Sequence, residues 1–141
     1  MDIETADILV ETDARIEIHT LTDEVRARVA DSDAESGMVL VSTGHTSAAV
    51  TTNEAEDRLL QDILQKFIDL VPPEEWYFHD QQHVDTDTQR NAFGHILSTM
   101  VKTPVMLVYE DKTLQFGQYE DVLLFEFDGP RERTVDVTVM H

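Results

Sequence analysis

Apolar and polar residues alternate from Ile3 to Glu11 and again across Arg15-Ile16-Glu17-Ile18-His19, within residues 14–21. A period of two residues is that of half-buried strands, and the pair flanking Thr12-Asp13 predicts a β-hairpin. The period then changes. Thr22-Asp23-Glu24 opens a short helix with acids in its first turn, Val25 and Val29 one turn apart, and Gly37 beyond its end. Met38 to Thr43 is an apolar, β-branched run and predicts a buried strand.

Asn53 stands three residues before Glu56, the spacing of a capping box, and Leu59, Leu60, Ile63, Leu64, Phe67, Ile68 and Val71 form one broad apolar face after it. That pattern predicts a long helix stopped by Pro72-Pro73. Residues 74–89 carry no period and predict a loop, long enough to call for a functional reason. Asn91 to Val101 is amphipathic, with Ile96, Leu97 and Met100 on one side. Val105–Tyr109, Thr113–Phe116, Val122–Phe127 and Arg133–Val139 then read as strands, separated by Asp111-Lys112, Gly117 and Asp128-Gly129-Pro130-Arg131. Strands first, helices in the middle and strands last predict an α+β fold over residues 1–141 as one domain, a mainly antiparallel β-sheet sandwich with two to three helices.

Charge narrows the partners. The 141 residues hold 10 Lys and Arg against 29 Asp and Glu, a formal net charge of −19. Such a surface repels phosphate backbones and anionic headgroups, so neither nucleic acid nor a membrane is an expected partner. The acids are scattered among periodic apolar residues, which separates this chain from a disordered acidic one. A folded domain of a high-salt cytoplasm is the expectation. The absence of Cys excludes disulfides, thiolate metal sites and a thiol nucleophile, leaving His and carboxylate as metal ligands.

Three of the six histidines, His45, His79 and His95, fall at element junctions or on a helix face in polar settings. Three imidazoles on one ion would leave a fourth position open, the pattern of catalytic zinc. Their intervals match no local ligand motif, so three separate hydrogen-bonding histidines is the competing reading. His83, four residues from His79, lacks the glutamate of a metalloprotease motif. Gly44-His45-Thr46-Ser47 offers backbone N–H groups and hydroxyls for an anion, and is otherwise an ordinary turn. Glu54 is a helix-start residue or a general base beside His45. Arg131, with Arg133 and Arg90 as competitors, is one of few cations able to hold an anionic substrate bidentately, or else a plain salt-bridge donor.

His45-Thr46-Ser47-Ala48-Ala49, Asn53-Glu54, Tyr77-Phe78-His79-Asp80, Asn91-Ala92-Phe93-Gly94-His95, Leu114-Gln115-Phe116-Gly117 and Asp128-Gly129-Pro130-Arg131-Glu132-Arg133 recur in the order of the YjbQ family, and the chain resembles it from about residue 15 to 139. That family is also called uncharacterised protein family 0047 or secondary thiamine-phosphate synthase. The resemblance implies a compact α+β fold, a homotrimer and a site at His45, His79 and His95 holding a divalent metal ion, with zinc the expected metal. It also implies a weak thiamine phosphate synthase activity, which joins two phosphorylated fragments with loss of pyrophosphate. Tyr119 and Glu120 replace the Trp and Gln of the family's usual stretch, and Arg90 replaces a small or acidic residue.

Two classes of function follow. In the first, a metal-assisted enzyme acts on a small phosphorylated metabolite, with Glu54 and Asn91 catalytic and Thr46, Ser47 and Arg131 binding substrate. In the second, the same pocket belongs to a non-catalytic phosphometabolite-binding or structural trimeric module.

Overall fold

The computed structural model describes residues 1–81 and 90–141. Its elements are β1 (Ile3–Glu11), β2 (Glu17–Thr20), α1 (Thr22–Ala30), β3 (Gly37–Ser42), β4 (Ala48–Asn53), α2 (Asp57–Leu70), α3 (Phe78–Gln81), α4 (Ala92–Val101), β5 (Val105–Glu110), β6 (Thr113–Leu114), β7 (Asp121–Glu126) and β8 (Glu132–Met140). Every strand pairing is antiparallel. A five-stranded sheet runs β1-β8-β3-β5-β6 and a three-stranded one β2-β7-β4, so the expected α+β sandwich is the observed class.

The three-stranded sheet is the middle layer. One face packs with α1 and the five-stranded sheet, through Val50, Val122 and Leu124 against Val25, Val39, Val41, Leu107 and Val135. The other face carries Ala49, Leu123, Phe125 and Phe127 under α2 and α4, where Phe67, Phe93 and Leu97 cover them. A strand covered on both sides has no polar face to alternate with, which explains the unbroken Val122-Leu123-Leu124-Phe125 run of β7. Strands β5 and β6 turn back at Asp111 and Lys112, both at positive φ (48° and 56°), as a type I′ hairpin requires.

Four expectations change. Strands β1 and β2 form no hairpin: β1 pairs with β8 from Ile3↔Met140 to Glu11↔Glu132, and β2 pairs with β7. Residues 12–16 instead cross between the two sheets, anchored where Thr12 N–H donates to Arg131 O at 2.8 Å. Asn53 does not cap α2; it ends β4 (Ala48–Asn53), a strand the sequence pattern did not predict. The cap is Glu56, whose side chain accepts from Leu59 N–H at 2.8 Å. The 113–116 strand shortens to Thr113–Leu114, with Phe116 leaving the ladder to pack on the core. Helix α3 lies inside the loop expected at 74–89, and His83 with the rest of 82–89 lies outside the described residues.

Among the described residues no helix is long and apolar enough to cross a membrane.

Candidate functional site

At one end of the middle sheet, β7 runs out into Phe127 and Asp128, the loop 43–47 enters β4, and α4 begins. Antiparallel pairing of Ala48 with Glu126 brings the first two together. Helix α4 is drawn in by Ser98, whose hydroxyl donates to Ala48 O at 2.7 Å, and by Gly94, where a Cβ would stand 2.8 Å from Phe127 O. Asp80 on α3 accepts from Ala92 N–H at 3.0 Å, supplying the start of α4 with an acceptor its own Asn91 does not provide. The backbone between the two strands passes through a cis Gly129–Pro130 bond.

A buried ion pair underlies the site. Glu126 is fully buried and Arg133 is 3 % exposed. Arg133 Nε donates to Glu126 Oε2 at 2.8 Å and Nη2 to Oε1 at 2.6 Å, while Nη2 also reaches Ser47 Oγ at 2.9 Å. Thr12 Oγ1 and Asp128 N–H donate to the same carboxylate at 2.9 and 2.8 Å. Charges this deep persist only when paired and fully hydrogen-bonded, and here both conditions are met.

Above that pair lies a polar cavity of about 350 Å³ lined by Gly44, His45, Thr46, Ser47, Asn91, His95, Asp128, Arg131 and Arg133. It gathers six of the eight residues expected from sequence: His45, Thr46, Ser47, Asn91, His95 and Arg131. His79 adjoins it, its Nε2–H donating to Asn91 Oδ1 at 3.2 Å and its ring meeting that of His95 edge to face, centroids 5.0 Å apart. Glu54 is the exception. It lies beyond the far end of β4, on a separate depression with Tyr119 and Glu120, so it is no base for His45. The six residues of β4 extend roughly 20 Å between them. Glu120, the family departure, points its carboxylate at Gly117 N–H (3.0 Å) and does not line the cavity either.

Each histidine commits a ring nitrogen to protein. Thr134 N–H donates to His45 Nε2 at 3.0 Å. Burial holds the His45 imidazole below its ordinary pKa, and Arg133, Lys102 and Arg131 add to this against the opposing pull of Glu126. The ring is therefore neutral near pH 7, with its proton on Nδ1. His95 Nδ1–H donates to Thr46 O at 3.2 Å, which leaves Nε2 as an acceptor. A three-histidine zinc centre would require His45 to turn away from Thr134 or to bind through a nitrogen that carries hydrogen. Among the described residues no group of three or more His, Asp or Glu is placed to hold an ion, so these side-chain positions do not fit that centre.

Asp128, 1 % exposed, sits at the hub of the polar network. Its Oδ2 accepts from Asn91 Nδ2 and Arg131 Nη2, each at 2.8 Å, while Arg131 Nε donates to Asp128 O. Asn91 thus links His79 to Asp128. Sequence reasoning placed Asp128 in a turn and overlooked Glu126. The available signal was a lone acid in the apolar run Val122–Phe127, which demands a buried cation, with Arg133 the nearest Arg on an alternating strand.

The protein is a two-sheet α+β sandwich with a polar, cation-bearing cavity at one end of its middle sheet. The chain belongs to the YjbQ family, whose model, described as UPF0047 protein YjbQ-like, matches residues 6–141. It is 37% identical over 134 residues to a UPF0047 protein of Archaeoglobus fulgidus, covering 95% of this chain and 99% of that one. UPF0047 protein YugU of Bacillus subtilis is 30% identical over 132 residues, covering 93% of this chain and 95% of its own. Among solved structures, a YbjQ-like protein of unknown function from Sulfolobus solfataricus superposes with a TM-score of 0.89 at 29% identity, covering 98% of this chain and 96% of that one. A hypothetical protein from Aeropyrum pernix gives 0.88 at 31% identity, covering 97% and 98%.

Proposed function

We propose that this protein is an enzyme acting on a small phosphorylated metabolite in the cavity between the 43–47 loop, the start of α4 and the Asp128–Arg131 turn. The observation that carries the reading is the grouping of Arg131, Arg133 and a neutral His45 around one polar cavity in a chain of net charge −19. Arg131 is half exposed, and its guanidinium is held by Asp128 through Nε and Nη2, leaving the remaining edge for an anion. His45 Nδ1–H is a second donor. Gly44 borders the cavity with nothing within 4 Å of where a Cβ would stand, so its backbone is open to a ligand. Together these groups oppose the charge that develops on a departing phosphate or pyrophosphate. His95 Nε2 is the proton acceptor of the site, oriented by Thr46 O.

The transfer that joins two phosphorylated fragments with release of pyrophosphate, which the resemblance implied, belongs to this reaction class. Calorimetric titration of the untagged protein with inorganic pyrophosphate is expected to show binding that weakens at least tenfold in Arg131→Gln. Equal affinity in both proteins, or no binding to either, overturns the reading. Pyrophosphate binding without turnover of any phosphorylated substrate favours the non-catalytic module instead.

We also propose assembly as a homotrimer in the cytoplasm. The support is an apolar stripe on the outer face of the five-stranded sheet, where Met38, Met106 and Val108 are 39, 55 and 45 % exposed. Sedimentation is expected to give three chains per particle, and a monomer at micromolar concentration overturns this.

A further inference from the structure

The end of β4 away from the cavity is an open edge. Strand β4 closes one side of the three-stranded sheet, and Phe127 N–H donates to Ser47 O at 3.1 Å, so Ser47, Ala49, Thr51 and Asn53 turn their backbone groups toward β7. Residues 48, 50 and 52 turn theirs outward. Ala48 O takes the Ser98 hydroxyl at 2.7 Å and Val50 O takes Thr103 N–H at 3.3 Å. Thr52 comes next, and among the described residues nothing pairs with its backbone. Neither lysine nor proline within Ala48–Asn53 guards this edge.

Two depressions meet there and share Thr52 and Asn53. One is an apolar cleft of about 450 Å³ between β4 and α2, walled by Ile63, Phe67, Val101 and Phe125. It exists because the apolar face of α2 is only half covered, with no residue of that helix buried. The other is polar, about 370 Å³, and carries Glu54, Glu120 and Tyr119. Asp62 adds a third carboxylate at the cleft, while Lys66, the cation beside it, is paired with Asp69 at 3.7 Å.

We propose that this end of β4 docks an extended, basic segment of a partner protein, which pairs its backbone with Thr52, seats an apolar side chain in the cleft and sets a cationic one against Glu54 and Glu120. Main-chain pairing with an exposed edge supplies affinity, and the two depressions supply specificity. Glu54 follows Thr52 by two residues, so at roughly 3.3 Å per residue the cation lies about two to three positions from the apolar anchor. The carboxylates also steer a basic segment toward the edge before contact. A second copy of this chain is a poor occupant. Its exposed aromatics, Trp76 and Phe78, follow Glu74 and Glu75, which bring the wrong charge to a rim of carboxylates. The surface lies at the opposite end of β4 from His45, so the proposal does not depend on the phosphate reading.

The probe is a dye-labelled, threonine-rich peptide with one phenylalanine and, three positions on, a pair of arginines, titrated with the full chain and read by fluorescence anisotropy. Saturable binding is expected. It weakens at least tenfold when glutamates replace the arginines, and at least tenfold when alternate peptide nitrogens are methylated with the charge unchanged. Both comparisons use the unaltered protein, so no folding defect imitates them. Thr51→Trp, which fills the cleft, and Glu54→Lys, which reverses the rim, are each expected to lower affinity at least fivefold. Glu110→Lys makes the same charge change on the five-stranded sheet and is expected to alter affinity less than twofold. No binding by the wild type, equal binding of the methylated peptide, or equal effects of Glu54→Lys and Glu110→Lys overturns the proposal. So does a wild type that ignores the peptide while Thr51→Trp sediments as a smaller particle, which would assign the face to a second copy.

Discussion

Replacing Arg133 with methionine is expected to lower the stability of the folded chain by about 3–5 kcal/mol, the cost of leaving one partner of a buried ion pair uncompensated. Glu126 would keep only the Thr12 hydroxyl and the Asp128 N–H, in a position with no access to water. Ser47 would lose its donor as well. Screening offers no relief, because the side chains of the pair are 4 and 0 % exposed. The double replacement Arg133→Met with Glu126→Gln removes both charges and is expected to recover most of the loss. Urea denaturation of the three proteins measures it, and a loss below about 1 kcal/mol in the single variant contradicts the buried network.

Gly94→Ala is expected to weaken ligand binding by displacing α4. In an exposed helix the change would stabilise by about 1 kcal/mol through propensity alone. Here the new Cβ would sit 2.8 Å from Phe127 O and 3.3 Å from Phe127 C, and backbone cannot rotate aside as a side chain can. Overpacking of this kind costs about 1–3 kcal/mol, so the clash outweighs propensity and α4 shifts outward. Asn91 and His95 move with it, away from Asp128 and Thr46. Pyrophosphate affinity is expected to fall at least tenfold, about 1.4 kcal/mol. Gly117→Ala serves as the control: its Cβ would meet Glu120 atoms at 3.6 and 3.7 Å, ordinary contact, and neither stability nor binding should change appreciably. Thermal melting and calorimetry read both, and equal behaviour of the two variants refutes the placement of α4.

The surface coat and the site answer to different physics. Most of the surplus negative charge is spread over exposed positions, where ions screen it. The cavity escapes that average: burial first, then Arg133, Lys102 and Arg131, hold the His45 imidazole below its ordinary pKa despite the opposing pull of Glu126. Lys102 reaches this neighbourhood from the end of α4, donating to His45 O at 2.7 Å.

Periodicity made the elements legible where burial is one-sided or total. The apolar face of α2, the alternation of β1 and β8 and the continuous run of β7 are each written locally, because a residue's polarity records whether its own side faces water. Strand β4 was not legible: Ala48 and Ala49 are small, and Thr51-Thr52 read as readily as a loop. The ordered motifs also carried the family, since their sequence and spacing extend over nearly the whole chain.

By itself, then, the sequence determined the α+β antiparallel class, the family, the polar loops at 44–47 and 128–131, and the histidines and arginine that gather at one end. Only the tertiary structure decided which strand pairs with which and which of those residues meet. Ser47 and Arg133 are 86 positions apart and Asn91 and Asp128 are 37 apart, and local pattern does not encode contacts of that range. The same folding separated Glu54 from His45 by the length of β4 and turned His45 Nε2 toward Thr134. It also left Asp128 Oδ1 buried without a donor. A strand's polarity pattern fixes how much of it is buried; the partner it is buried against depends on where every other strand has gone.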